Sequence, residues 1–183
     1  MILDFSFKQV MKLSSIQRWA IIEMARPQSV AEHSYNVAMI SLSMLDRMEL
    51  EFPGAYSEEY RSVVMKWALC HDLTEIVTGD FPSSLKSYFG KDISAMEKSK
   101  FPAHAALKDM VSQQDMPFRI VKAADYIDAI YFASRFCVDE GKAKIIGDMR
   151  ERLYRMVFGG PNKNANDVLE ELIIGIWPDI WNV

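Results

Sequence analysis

The chain has 183 residues, the length of about one domain. Hydrophobic residues make up 50% and charged residues 25%, which excludes a disordered, collagen-like or low-complexity chain. The 21 Lys and Arg set against 25 Asp and Glu leave a formal net charge of −4, so no global basic field exists to hold duplex nucleic acid, whereas a small anionic ligand needs only a few local cations.

Glycine and proline are sparse and leave long uninterrupted stretches, which suit helices better than strands. A first helix is expected over 5–24, with Arg18 and Trp19 in its later turns. In the second, over 29–50, Val37, Ile40, Met44, Leu45 and Met48 recur at helical spacing, and His33, four before Val37, falls on that apolar face. The third, over 57–78, opens on Ser57 followed by Glu58 and Glu59, a hydroxyl cap and first-turn acids that satisfy the exposed amide end. Its stripe of Val64, Trp67 and Ala68 runs on to His71, beside Asp72. Glu75 lies four from His71 and three from Asp72, so all three can face one pocket. Helices over 83–98 and 103–114 follow, and His104, which has no acid beside it, reads as a surface residue. The helix over 118–140 carries Val121, Asp125, Asp128, Ala129, Phe132 and Phe136 on one stripe, two carboxylates on an otherwise apolar face. Helices over 142–158 and 165–177, separated by Gly159–Gly160–Pro161, complete an all-α single domain with no period-2 alternation.

Cys70 and Cys137 are far apart, lack CxxC spacing and are expected as buried thiols, not as a disulfide framework or a zinc knot. The N-terminus carries Asp4 and no long apolar run, and no 18 consecutive residues avoid charge and polarity, so neither a signal peptide nor a membrane span is expected.

Three helices thus point ionisable groups inward. Burying a polar group without a partner costs roughly 2–7 kcal/mol, so something must compensate. A divalent cation would do so: His33, His71, Asp72 and Asp125 form a mixed nitrogen and oxygen set suited to Mn, Fe, Co or Zn. Taken singly, His33 reads first as a satisfied core histidine, and Asp125 equally as a capping or paired acid. The convergence of two of the three histidines with acids on separate helices favours the metal.

His33 in SVAEHS, the His71–Asp72 pair in HDLTEIVTGDFP and Asp125 in KAADYIDA, with Arg18–Trp19 upstream, resemble the HD-domain metal-dependent phosphohydrolases across about residues 5–140. Within them the pattern is similar to the YfbR-like 5′-deoxynucleotidases and to the related phage dATP triphosphohydrolases. The resemblance implies one HD-type helical bundle over 1–183, with a motif-bearing core about 5–140 and C-terminal helices over 142–177. It implies one divalent transition metal (Co, Mn, Zn or Fe) on His33, His71, Asp72 and Asp125, with Asp72 and Glu75 catalytic and Glu75 orienting or deprotonating the attacking water. A bound metal lowers the pKa of water and polarises a phosphoryl oxygen while a carboxylate takes the proton, so no serine or cysteine nucleophile is needed. The implied substrate is a deoxynucleotide cut at its α-phosphorus, releasing phosphate from a monophosphate or triphosphate from a triphosphate, notably dATP.

Arg18, Lys86 and Lys122 are the cations on the motif segments that would hold phosphate. Trp19 would stack on the base. Asp80 of TGDFP, followed by Pro82, would contact the sugar, with Gly79 permitting the turn that aims it. Ile21 is suggestive of the adenine-selective phage enzymes. A homo-oligomer, dimer or hexamer, in the cytoplasm of a bacterium or of a phage's host is implied as well. Two other readings compete. Another HD-domain phosphodiesterase generally wants further metal-binding histidines, and only His104 is unused. A non-catalytic, metal-stabilised helical binding protein leaves Glu75, an acid beyond a four-ligand set, without a role.

Overall fold

Three serines start helices. In the computed structural model, which describes residues 4–112, 115–159 and 163–180, Ser6, Ser29 and Ser57 each accept the backbone N–H three residues on. They open α1 (Phe7–Met11), α2 (Val30–Glu51) and α3 (Glu58–Cys70). There follow α4 (Glu75–Thr78), α5 (Ser83–Lys100), α6 (Pro102–Ser112), α7 (Asp115–Phe136), α8 (Lys142–Phe158) and α9 (Lys163–Ile176). The fold is all-α: among the described residues the extended pairings are two isolated bridges, Gln17 with Ser29 and Met24 with Cys137. No helix among those residues is long and apolar enough to cross a membrane.

The centre of the molecule is α7, which packs against α2, α3, α6, α8 and α9. Being covered on several sides, it is apolar round much of its circumference. Ala123, Ala124 and Ala133 are fully buried on it, and side chains this small let neighbouring helices approach closely. Val37, Met44, Leu45 and Met48 of α2 and Val64 and Ala68 of α3 pack into the same core. At the far end, buried Arg119 donates to the carbonyls of Met156 and Val157 and to Asn166 Oδ1, tying α7 to the last turn of α8 and to α9.

The helix expected over 5–24 ends early. After α1 and a 3-10 turn, Lys12–Ser15, the chain leaves helical geometry, and residues 16–29 form a loop. Its backbone groups are taken by distant partners: Arg18 N–H donates to the Gln28 carbonyl (2.8 Å), Val30 N–H to Ile16 (2.9 Å) and Ala25 N–H to Phe136 (2.7 Å). Trp19 sits at φ 68°, a left-handed conformation no helix accommodates. The helix expected over 57–78 breaks after Cys70, so His71 and Asp72 stand in a turn and Glu75 begins α4. The helix expected over 118–140 begins earlier and stops at Phe136, because Cys137 and Val138 pair with the loop. Both cysteines are free and buried, and burial pushes the Cys70 thiol up to about 12. His104 is not at the surface. It is fully buried, donates from Nε2 to the Cys70 carbonyl (2.8 Å) and packs its ring against Trp67 and Phe5.

Candidate active site

His33 is the fourth residue of α2, on its buried face, and the turn after α3 brings His71 and Asp72 to meet it. His33, His71 and Asp72 offer ligand atoms all within 4.8 Å of one another. Asp72 Oδ2 stands 3.6 Å from His33 Nε2 and 3.4 Å from His71 Nε2. From α7, Asp125 adds Oδ1 at 3.3 Å from His33 Nε2. The structure therefore groups three of the four expected ligands within one cluster and sets the fourth, Asp125, against His33.

Both imidazoles are anchored by their other nitrogen. His33 Nδ1 is 2.6 Å from Asp128 Oδ2, and His71 Nδ1 is 2.9 Å from the Ala68 carbonyl. Each acceptor requires Nδ1–H, which leaves Nε2 with a lone pair. Both Nε2 atoms are buried and make no hydrogen bond. Two orphaned imidazole nitrogens facing two carboxylates are the donor set of a divalent metal, so the residues present fit one.

The charge states of His71 and the two carboxylates agree with this, whereas the acids around His33 favour its proton. Burial, the largest influence, holds His71 below its ordinary pKa and hence neutral. For His33, burial and Arg18 push downward, but Asp125 and Asp128 prevail and its pKa is raised. Burial works against ionising Asp125, yet Lys122 and then His33 hold it well below the usual carboxylate range. Asp72 is lowered, with His71 and His33 outweighing burial. Lys122 Nζ donates to Asp125 Oδ2 at 2.5 Å and is itself held above its ordinary value, first by Asp125, so Asp125 Oδ1 remains the oxygen nearest His33.

His71, Asp72 and Asp125 line a cleft of about 670 Å³, with His33 fully buried behind them. Glu75, Arg18, Trp19, Ile21, Asp80, Pro82 and Lys122 all line it. Glu75 is buried at the start of α4. Gly79, at φ 70° and ψ 176°, turns the chain so that Asp80 Oδ2 accepts the Trp19 backbone N–H at 2.9 Å. The indole lies nearly parallel to Phe132 (6.2 Å between centroids, 10° between planes). Ile21 is 69% exposed at the rim. The side chain of Lys86 lies outside the described residues. On the wall beside Glu75, Thr74 and Lys108 both donate to buried Glu97 (3.0 and 2.8 Å).

Three site residues escape sequence reasoning as functional candidates. Asp128 holds His33, and Asn36 donates to its other oxygen at 2.7 Å. Their signal is helical spacing: each lies three residues after a ligand candidate, on the same helix. Gln28 is fully buried and bonds to Arg18, Trp19 and Asp128, but it ends a loop, where no periodicity marks it.

The family described as 5′-deoxynucleotidase YfbR-like matches residues 5–144. A 5′-deoxynucleotidase of Shewanella oneidensis is 29% identical over 170 residues, which cover 85% of each chain. A dATP triphosphohydrolase of Salmonella phage PMBT28 is 30% identical over 127 residues, 68% of this chain and 64% of the phage protein. Among solved structures, the cyanophage S-2L HD phosphohydrolase DatZ, bound to dA and one catalytic Zn2+ ion, shares the fold with a TM-score of 0.83 over 98% of both chains at 20% identity. The matched span contains every ligand candidate, Glu75 and both walls of the loop that carries Arg18 and Trp19, and the chain belongs to the YfbR-like 5′-deoxynucleotidase family.

Proposed function

We propose that the protein hydrolyses deoxynucleotides at the bond between O5′ and the α-phosphorus, with one divalent metal on His33, His71, Asp72 and Asp125. The observation that carries this is the pair of buried, unbonded Nε2 atoms set 3.3–3.6 Å from two carboxylates that line an open cleft. Bound there, a divalent ion supplies Lewis acidity and an acidified water. Zinc suits the donor set, as do Mn, Co and Fe. Glu75 takes the proton of the attacking water: its carboxylate is buried, lines the same cleft and is no member of the ligand set. Arg18 and Lys122 meet the phosphate oxygens, Lys86 extends that role, and Trp19 presents its indole to the base with Ile21 and Pro82 at the rim. Asp80, fixed by the Trp19 N–H, accepts from the sugar hydroxyl.

A monophosphate and a triphosphate share the bond that is cut, so the same groups serve the substrates named for both the Shewanella and the phage relatives. Assembly into a homo-oligomer in the cytoplasm belongs to this reading; the exposed Tyr35, Met39, Tyr131 and Ile174 are apolar surface it would cover.

Product analysis by phosphorus NMR with dAMP, dATP and AMP, in the presence of Zn, Mn or Co, tests the proposal. Phosphate from dAMP or triphosphate from dATP, with AMP spared, is the expected result. Glu75→Gln is expected to keep the metal and lose about 10²–10⁴-fold in kcat, whereas Asp72→Ala loses both metal and activity. Wild-type turnover by Glu75→Gln, or no product from metal-loaded protein, overturns it.

A further inference from the structure

Gln28 joins the two halves of the site. Its Oε1 accepts from Trp19 Nε1–H at 2.8 Å and from Arg18 Nη1–H at 3.2 Å. Its Nε2 donates to Asp128 Oδ2 at 2.8 Å, the oxygen that also holds His33 Nδ1 at 2.6 Å. An indole and a guanidinium only donate and a carboxylate only accepts, so the amide has one orientation; flipping it would lose all three bonds at once. The side chain is fully buried and water cannot replace those partners. Arg18 strengthens the connection from its own side, with Nη1 3.7 Å from Asp128 Oδ2 and Nη2 4.0 Å from Asp125 Oδ1.

We propose that Gln28 is a positioning residue with two ends: its carbonyl oxygen sets Arg18 and Trp19 toward the nucleotide, and its amide nitrogen, through Asp128, sets His33 toward the metal. The nucleotide end rests on the function proposed above; the metal end rests only on the donor geometry. Because the two ends use different atoms of one amide, they can be separated by substitution. A glutamate at position 28 still accepts from Arg18 and Trp19, but its second oxygen faces Asp128 with no proton to share. A methionine of similar length serves neither end.

Gln28→Glu is expected to leave KM for deoxynucleotide within about threefold of wild type, while affinity for Co2+, read from the visible absorption of the bound ion, falls about 10–100-fold, as for other lost outer-shell partners. In Gln28→Met the same loss of Co2+ affinity is joined by a rise in KM of about tenfold. Melting temperature is recorded for all three proteins, so that affinities refer to folded molecules. A merely structural Gln28 would lower the melting temperature and leave Co2+ affinity and KM unchanged, which overturns the proposal; so does an identical KM in the two variants. If Gln28→Glu does not fold, Gln28→Asn, one methylene short of spanning both ends, is expected to weaken Co2+ binding or raise KM, and wild-type values of both overturn the bridge. A wild-type protein that cleaves no deoxynucleotide defeats the proposed function, and the Co2+ titration still decides the metal end.

Discussion

His33 and His71 are held by unlike partners, the first by the Asp128 carboxylate and the second by a backbone carbonyl. A carboxylate behind an imidazole makes its other nitrogen the more basic, so as ligands the two histidines would not be equivalent donors. The third histidine acts on stability instead. Burial, the foremost influence, holds His104 below its ordinary value of 6.5. The unfolded chain therefore takes up a proton near that pH and the folded chain only at lower pH, so the contribution of this residue is full above the ordinary value and is lost as pH falls toward the folded one. His104→Gln, whose amide can still donate to the Cys70 carbonyl, is expected to flatten the fall in melting temperature from about pH 7.5 to about 5.5. An equally steep fall in the variant would count against it. The four ligand candidates were legible because each is a charged or polar group on an apolar helical stripe or beside one. His104 reads as a surface residue in the sequence because what buries it, Phe5, Trp67 and the Cys70 carbonyl, lies far away along the chain and leaves no mark beside it.

At the level of elements, helices with a regular stripe and a marked start are legible to within a residue or two, as α2, capped by Ser29, and α8, which follows Gly141, show. The stretch 16–29 was not, since it also lacks glycine and carries apolar residues; what unwinds it is the set of backbone bonds it makes with Asp80, Phe136 and its own far end. Long-range partners of this kind override local propensity. The short α4 depends on the opposite kind of signal. Gly79 combines φ 70° with ψ 176°, a region all but closed to other residues, and a Cβ there would meet no atom within 4 Å. Gly79→Ala is accordingly expected to cost about 1–3 kcal/mol from backbone conformation alone. KM should rise with it, since Asp80 leaves the Trp19 N–H. Chemical denaturation and steady-state kinetics check the pair of effects, and a variant as stable as wild type would refute the conformational account.

Across the whole molecule, the centre joins stretches far apart in sequence: His33 and Asp128 are separated by 95 residues and Gln28 and Asp128 by 100. A metal bound only by the folded chain stabilises it by mass action, about 3–4 kcal/mol at 100 to 1,000 times its dissociation constant. Stripping the protein with a chelator is expected to lower the melting temperature, with recovery on adding Zn or Mn; an unchanged transition in the metal-loaded wild type would place the ion outside the fold's energetics. The distribution of roles over the chain has a different kind of consequence. The loop after Ile16, closed at its root by Val30 and pinned on its far side to Phe136, carries Arg18 and Trp19 and exposes Ala20 and Ile21, yet it supplies none of the four metal-ligand candidates. Under the proposed function, base recognition and bond cleavage would sit on separable stretches, so a lineage could drift in the base it accepts by rewriting the loop's tip while the elements that carry the ligand candidates stay as they are.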